Sequence, residues 1–354
     1  MSYKTQQILM LMMLITATFS DEIRYKRVDH SYSDENTNTC HAVIHEIMVD
    51  IEKVNISLIP ASDTKVAVRK PFEDFLKSDN ILVSINASFF NKDGSFAGLT
   101  KVNDQILGYS HAIRGAMCWN TGDSSSIIFD QLKMTGFVCI DDRKIDITRI
   151  NRPLKNKGIN CYTKTYSDKV KTNPNYTYID IEPFNGRSTE IVDDVIEMND
   201  IHYLIAVHNS EEDIIGLILN ANNAHVEIVL YTTFHDSKEI NKLENILSGA
   251  PLLIFDGLVI PIYDRETINE SFITQRHART AIGLTSNNEF VIIVVEEGLF
   301  FGGISIPELA NYMKEIGCEY ALNLDGGRSS SLYTINNGTI YSKKPTPKRY
   351  FSYR

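Results

Sequence analysis

The sequence predicts a single-domain α+β or mixed α/β protein, with a mixed sheet flanked by helices and a strand-helix-strand crossover near its end. Residues 290–297, FVIIVVEE, are apolar on both faces, as is typical of a central strand. Residues 306–316 then carry apolar side chains at helical spacing, after a capping box formed by Ser305 and Glu308. The chain returns to an apolar strand at 320–325, and no low-complexity linker divides its 354 residues.

The earlier elements are mostly strands, predicted from short apolar runs bounded by polar turns. In chain order these runs are 41–51, 54–62, 80–90, 201–208 and 226–234. Residues 71–78, PFEDFLKS, predict a short helix that begins at Pro71. Residues 252–260, LLIFDGLVI, hold an Asp-Gly pair between two apolar runs and therefore predict a β-hairpin.

The N-terminus has the layout of a secretory signal peptide over residues 1–20. Lys4 precedes the apolar run Ile8–Ile15, and the small residues Thr18 and Ser20 follow it. An uncleaved anchor or a buried segment is the alternative interpretation of this run. We therefore expect a protein that is secreted, lumenal or periplasmic and has no stable membrane span. The predicted organisation continues with a flexible lead over 21–40, one domain over 41–345 and a basic tail over 346–354.

Composition excludes some classes of function. The net charge of −10 argues against a general binder of nucleic acid or anionic membranes. The five cysteines show no C-x-x-C spacing, so a zinc site is not expected. An exported protein would ordinarily form one or two disulfides here and leave at least one thiol unpaired. The cysteines are Cys40, Cys118, Cys139, Cys161 and Cys318. Sequons that predict a glycoprotein begin at Asn55, Asn86, Asn175, Asn269 and Asn337.

The last strand ends in a stretch that a hydrophobic core does not require, NLDGGRSSSL at 323–332. If the strands at 290–297 and 320–325 are parallel, Glu297 and Asp325 end them at one edge of the sheet. Ligands of open α/β sheets bind outside such carboxyl ends. Glycine backbone N–H groups, an arginine and hydroxyls are suited to phosphate or sugar oxygens. The alternative is a tight turn that leads into an exposed polar hairpin.

Six stretches together resemble the phosphodiester glycosidase family, in the order that the family has them. NLDGGRSSSL is similar to its NLDGGGSS signature. The other five stretches are INASFF (85–90), SGAPLLIFDGLVI (248–260), RHARTAIGL (276–284), VVEEG (294–298) and ISIPELANYMKEIG (304–317). The resemblance runs from about residue 41 to residue 339. The chain departs from the family pattern at Arg328, which replaces a glycine, and also at Ala87-Ser88, Ala278 and Glu297.

The resemblance implies a hydrolase that cleaves the bond between sugar C1 and oxygen in a sugar-1-phosphodiester, with an N-acetylglucosamine-1-phosphodiester as the type of substrate. Such chemistry needs cations for the phosphate and a carboxylate near C1. The catalytic candidates are Asp325, Glu297 and Arg279, with Glu296 behind them. The candidates for substrate binding are Asn86, His277, Asn323, Gly326, Gly327, Arg328, Ser329 and Ser330.

Each candidate also has a structural interpretation. Arg279 could pair with a carboxylate, Glu297 could end its strand in solvent, and Asn86 could hold a loop. His277 could be a packed neighbour, and His41 and His45 are interpreted as structural. No cofactor and no metal site are predicted, although Asp325, Glu297 and Asn86 would be oxygen ligands suited to a hard divalent cation.

Two functions follow from these patterns. The first is a secreted glycosidase that acts on glycan or sugar-phosphate substrates. The second is a catalytically silent module on the same fold that binds glycan or phosphate. The side chain of Arg328 distinguishes them, because an arginine folded across Asp325 favours the second. The sequence predicts neither the sugar nor the oligomeric state.

Overall fold

The computed structural model describes residues 8–9, 11–16, 23–33, 39–61, 70–76, 81–91, 95–152, 157–182, 186–198, 203–261, 265–298 and 302–342. The predicted basic tail, 346–354, and the expected cleavage position near Ser20 lie outside these residues.

Strands dominate the structure, with 55% of the described residues in strands and 13% in helices. The strands are β1 Ile8–Leu9, β2 Leu11–Thr16, β3 Ile23–Ser33, β4 Thr39–Asp50, β5 Asn55–Pro60, β6 Lys70–Pro71, β7 Ile81–Asn86, β8 Thr100–Val102, β9 Gln105–Gly108, β10 Arg114–Asn120, β11 Asp123–Ile140, β12 Arg143–Ile147, β13 Arg149–Ile150, β14 Ile159–Tyr162, β15 Lys169–Lys171, β16 Tyr176–Ile181, β17 Ser188–Ile191, β18 Val195–Glu197, β19 Tyr203–His208, β20 Ala224–Thr232, β21 Asn245–Ser248, β22 Leu252–Phe255, β23 Leu258–Val259, β24 Arg279–Thr285, β25 Glu289–Val295, β26 Cys318–Asn323, β27 Ser331–Thr334 and β28 Gly338–Ser342. The helices are α1 Phe72–Phe75, α2 Glu212–Leu219, α3 Ser237–Asn241, α4 Glu270–Thr274 and α5 Ile306–Glu315, with short 3₁₀ turns at Ile51–Lys53 and Gly327–Ser329.

The predicted fold class is wrong, because the protein is mostly β with many antiparallel sheets and short helices. Among the described strands, the β13–β14 pair is the parallel one, and the other pairings are antiparallel. An apolar strand buried on both faces is compatible with either direction of its neighbours, so composition could not decide this point.

The sheet that positions the candidate site has the strand order β23-β22-β26-β24-β25-β4-β3. The expected crossover from β25 through α5 to β26 is present, but β24 lies between the two strands and is antiparallel to both. Strands β25 and β26 therefore run in the same direction without pairing. Their carboxyl ends and the amino end of β24 meet at one edge of this sheet.

Several local predictions are confirmed. Ser305 and Glu308 form the capping box that begins α5, and Pro307 lies in its first turn. The chain leaves this helix through Gly317, whose φ of +91° is a left-handed conformation that favours glycine. The predicted hairpin is β22–β23, and its turn residues Asp256 and Gly257 both have positive φ, as a type I′ turn requires.

A second sheet, in the order β28-β27-β7-β2-β5, contains the apolar N-terminal run. Strand β2 pairs with β5 on one side and β7 on the other, and Met12, Met13 and Ile15 are fully buried. This placement competes with the prediction of a cleaved signal peptide, which stays a prediction. A central strand and the apolar region of a signal peptide have the same composition, so the run alone could not distinguish them.

The segment predicted to be a flexible lead, residues 21–40, contains all of strand β3 and the start of β4. These two strands pair along their whole length, from Ile23 opposite Val49 to Ser33 opposite Thr39. The polar side chains of β3 are explained by its position, because it is the last strand at one side of the site sheet.

Two apolar cores cover the two faces of the site sheet. One face packs on the second sheet and on β10 through residues such as Ile292 and Trp119. The other packs on α5 through Ile293 and Leu309. The four cysteines whose side chains are described are buried free thiols, namely Cys118, Cys139, Cys161 and Cys318. Within the described part of the chain, no helix is long and apolar enough to cross a membrane.

Candidate active site

The candidate site lies where β25 and β26 end and β24 begins. Glu297 follows β25, Asp325 follows β26, and His277-Ala278 precede Arg279 at the start of β24. Ala278 connects the two carboxylate segments directly. Its N–H donates to Glu297 Oε2 at 3.0 Å, and its carbonyl accepts from the N–H of Gly327 at 2.7 Å. The structure therefore brings Glu297 and the Asp325 loop to either side of one residue.

The loop after β26 is fixed by its own backbone. Asp325 N–H donates to Ala87 O at 3.0 Å, and Gly326 N–H donates to Asp325 Oδ1 at 2.9 Å. A side chain on Gly326 would lie 2.8 Å from the carbonyl oxygen of Ala278, so this position requires glycine. The N–H groups of both glycines are used within the protein, and the predicted backbone cradle for a phosphate is therefore not formed.

The Arg328 departure from the family pattern causes no backbone strain. The left-handed conformation falls on Gly327, with φ of +60°, and Arg328 lies in the following 3₁₀ turn. The Arg328 side chain is exposed. Ser329 bonds the Asp325 carboxylate, whereas Ser330 is fully buried.

The two carboxylates have different environments. Burial raises the pKa of Asp325 from 3.8 to about 6, and the hydrogen bonds from Ser329 and Gly326 oppose this shift only in part. Glu297 accepts from the Ala278 N–H, and its Oε2 lies 3.6 Å from His277 Nδ1. Asp325, whose pKa is about 6, thus lies close to Glu297, which has His277 as a neighbour. Two carboxyls in such different environments are typical of acid–base sites.

Asn86 and Asn323 hold the backbone of the site through their amide N–H groups, while Asn323 Oδ1 is buried and has no hydrogen-bond partner among the described residues. Asn86 is buried, its Nδ2 donates to Asp325 O at 2.5 Å, and its Oδ1 accepts from Thr280 Oγ1 and Ser331 N–H. Asn323 Nδ2 donates to Ala250 O at 2.6 Å. Because Asn86 Oδ1 is committed, the cation ligand set of Asp325, Glu297 and Asn86 is not assembled.

Arg279 occupies a structural position. Its guanidinium is buried and donates to three backbone carbonyls, those of Ile304, Phe272 and Gln275, at 2.8–3.1 Å. It also stacks 4.7 Å from the Phe272 ring centroid. Burial lowers its pKa to about 10, which leaves it charged at neutral pH. The expected phosphate contact of Arg279 is therefore replaced by a role in holding α4 and the segment before α5 against the site.

A pocket of about 290 Å³ is lined by segments that also hold the Asp325 loop. Its walls include Phe89, Phe272, Ser248, Ala250 and Arg114. Ala250 N–H donates to Asn323 O at 2.8 Å, and Phe89 follows the Ala87 carbonyl that holds Asp325, so the segments that fix Asp325 also form the pocket. Ser248 Oγ is buried and has no hydrogen-bond partner among the described residues. An apolar pocket with a free hydroxyl and a cation at its wall is suited to a small polar ligand.

Sequence reasoning missed a buried chain behind Glu297. His45, which was interpreted as an isolated structural residue, bonds Glu296 Oε1 through Nε2 at 2.8 Å and the Tyr25 hydroxyl through Nδ1 at 3.0 Å. The Tyr341 hydroxyl accepts from Glu297 N–H at 3.1 Å, and its ring stacks on His45. A polar residue at an inward position of a strand was the available signal, but its partner at the site, Glu296, lies 251 positions away.

Residues 184–352 match the family model of phosphodiester glycosidases. This match confirms the resemblance predicted from the motifs and includes Arg279, Glu297, Asp325 and Arg328. It supports a glycosidase-type hydrolase. No curated protein matches the chain.

Two of the solved structures that match this chain share its fold at low sequence identity. A hypothetical protein from Synechocystis is 18% identical with a TM-score of 0.70, over 92% of this chain and 60% of its own. This chain thus spans less than two thirds of that protein's length. A candidate exported protein of Burkholderia pseudomallei K96243 is 13% identical with a TM-score of 0.64, over 85% of this chain and 70% of its own. A third match is the catalytic domain of zebrafish N-acetylglucosamine-1-phosphodiester α-N-acetylglucosaminidase, auto-inhibited by its pro-peptide. It is 15% identical with a TM-score of 0.48, over 94% of this chain and 80% of its own.

Proposed function

We propose that this protein hydrolyses sugar-1-phosphodiesters by cleaving the bond between sugar C1 and the phosphodiester oxygen. The observation that carries the proposal is Asp325, a half-buried carboxyl in the family motif whose pKa is about 6 and whose loop is held by segments that also line a pocket of about 290 Å³. A volume of this size suits one sugar ring. Phe89 and Phe272 supply apolar surface for the ring, and Ser248 supplies a hydroxyl for a sugar oxygen.

The chemical step follows from the leaving group. The group that leaves is a phosphate monoester, a stable anion that needs little protonation, so the demanding part of the reaction is attack by water on C1. Asp325 removes a proton from that water, since a base is most effective when its pKa lies near the working pH. Glu297, held by the Ala278 N–H, stabilises positive charge that develops at C1.

The charge of the substrate phosphate is met by side chains. The glycine N–H groups are committed within the loop, and Arg279 is committed to carbonyls. The exposed guanidinium of Arg328 is next to the carboxylate loop, and Arg114 lines the pocket. Arg328 is therefore the main donor in this proposal, and Arg114, which also donates to the carbonyls of Ile113 and Thr267, is the second.

The second candidate function, a silent binding module, required Arg328 to close over Asp325. The Arg328 side chain is exposed, and burial rather than a neighbouring cation dominates the pKa of Asp325. Both observations favour the enzyme. Export of the mature protein, a lumenal or periplasmic location, and glycosylation remain proposals. The sequon asparagines Asn55, Asn175, Asn269 and Asn337 are exposed, whereas Asn86 is buried and closed to glycosylation in the folded protein.

The test is release of free sugar from a panel of sugar-1-phosphodiesters, including N-acetylglucosamine-α-1-phosphate esters, by the full chain. Asp325→Asn and Glu297→Gln should each lower kcat by about a hundredfold or more, the range for loss of a general acid or base. Glu190→Gln is the matched control, because Glu190 is exposed on β17 away from the site. Undiminished turnover in both site variants would contradict the assignment.

A further inference from the structure

A second feature of this acidic protein is a group of half-buried positive charges beside the candidate site. It consists of His111, Lys133, Arg149 and Arg152, here called the basic cluster. His111 lies in the loop before β10, Lys133 on β11, Arg149 on β13 and Arg152 just after β13. Cations of a chain with net charge −10 are ordinarily dispersed among carboxylates, so their concentration here calls for a physical reason.

A backbone contact places two of these groups side by side, because Met134 N–H donates to Ser110 O at 2.8 Å and so brings His111 next to Lys133. Burial lowers the pKa of His111, and the charges of Lys133, Arg149 and Arg152 lower it further. None of the main influences on this histidine is a carboxylate, so the local potential is positive.

An orphaned atom lies within the cluster. His111 Nε2 is buried and has no hydrogen-bond partner among the described residues. Buried polar atoms of this kind are normally satisfied by a protein group, water or ligand. As an N–H it can donate to an oxygen, which matches the donor character of the three neighbouring cations.

Two segments connect the basic cluster to the pocket beside Asp325. Arg152 Nη2 donates to Asn91 Oδ1 at 2.9 Å, and Asn91 directly follows Phe90, which lines the pocket. On the other side, His111 lies three residues before Arg114, a further pocket residue. The positive surface therefore continues from the pocket wall toward the basic cluster.

We propose that the basic cluster is a subsite for a second tetrahedral oxyanion, carried on the acceptor side of the substrate as a phosphate or sulfate ester. The inference rests on the proposed function, since it places the sugar in the pocket and the acceptor outside it. Arginine and lysine donors suit tetrahedral oxyanions through charge-assisted hydrogen bonds. The preferred substrate is then a glycosyl phosphodiester whose acceptor carries its own anionic group.

The first test measures binding of inorganic phosphate and inorganic sulfate by calorimetry at 0.15 M salt. Lys133→Gln and Arg149→Gln should each weaken binding about tenfold, the scale for losing one charge-assisted contact. Arg143→Gln on β12 is the matched control, because Arg143 is an exposed cation outside the cluster. An unchanged dissociation constant in either folded cluster variant, or equal weakening in the control, overturns the proposal.

The second test compares two substrates that share the sugar-1-phosphodiester and differ only in a phosphate ester on the acceptor. In Lys133→Gln the KM for the phosphorylated acceptor should rise about tenfold more than the KM for the neutral one. Equal changes in both KM values overturn the subsite. If neither substrate is hydrolysed while the ion-binding pattern holds, the proposed function fails and the anion site stands. If the substrates are hydrolysed but ion binding does not depend on the basic cluster, the proposed function stands and the anion subsite fails.

Discussion

Replacing Asp325 with asparagine should stabilise the folded protein at neutral pH while abolishing hydrolysis. The folded-state pKa of Asp325 is raised from 3.8 to about 6, mainly by burial. A carboxyl with a raised pKa favours folding in its protonated form. Its contribution is complete below about pH 4 and is lost as the pH rises through 6. Above that pH, the ionised side chain destabilises the native state relative to a neutral side chain of the same shape.

The magnitude follows from the shift. About two pKa units correspond to roughly 3 kcal/mol at about 1.4 kcal/mol per unit. Asp325 is half-buried, and water screens part of this cost, so we expect Asp325→Asn to raise the free energy of unfolding by about 1–2 kcal/mol at pH 7.5. The asparagine oxygen can still accept from Gly326 N–H, which keeps the loop in place.

The assay is urea unfolding of both proteins at pH 7.5 and pH 4.5, together with kcat/KM of the wild type between pH 5 and 8. The stability difference should shrink at the lower pH, and kcat/KM should rise through about pH 6 as the base ionises. An asparagine variant that is less stable than the wild type at pH 7.5 would refute the burial argument. A rate that falls through pH 6 would instead make Asp325 the acid.

Three further outcomes are expected. Arg279→Lys should lower the free energy of unfolding by about 3 kcal/mol in urea titrations, because a single ammonium cannot satisfy the three carbonyls that the guanidinium binds; unchanged stability would show that these contacts are weak. Arg328→Gly should change the free energy of unfolding by less than about 1 kcal/mol, because the backbone of Arg328 is unstrained. The same variant should lower kcat/KM about tenfold, because the proposed phosphate contact is lost. Steady-state kinetics that match the wild type would contradict the contact. Deleting residues 1–20 should prevent folding, because β2 pairs with two strands and buries several side chains. Circular dichroism measures this outcome. An active, folded protein that begins near Asp21 would instead favour the cleaved signal peptide.

The sequence was sufficient for elements whose signals are local. The capping box of α5, the Asp-Gly hairpin and the strands β4, β5 and β7 depend on neighbours within a few positions. The order of the strands in the site sheet could not be predicted from local patterns. Strand β24 precedes β25 in the chain and lies between β25 and β26, and no pattern within these strands encodes that insertion.

In the candidate site, too, the sequence predicted the local features but not the contacts between distant segments. The motif around Asp325 indicated a ligand loop, and the structure places Glu297 beside it. The orientation of Arg279 depends on carbonyls from α4 and the segment before α5, which become neighbours only after folding. His45 was dismissed because it lies on a distant strand, although its pairing with Glu296 brings it directly behind the site.

The role of Arg279 changes how the Arg328 departure is interpreted. In this protein the motif arginine on β24 supports the pocket wall, and the glycine N–H groups close the loop on itself. Neither can neutralise a substrate phosphate. In the proposed function, the exposed Arg328 supplies that charge without disturbing the loop, because the left-handed conformation belongs to Gly327. The proposal therefore gives the arginine that replaces a glycine of the family pattern the donor role that the rest of the loop lacks.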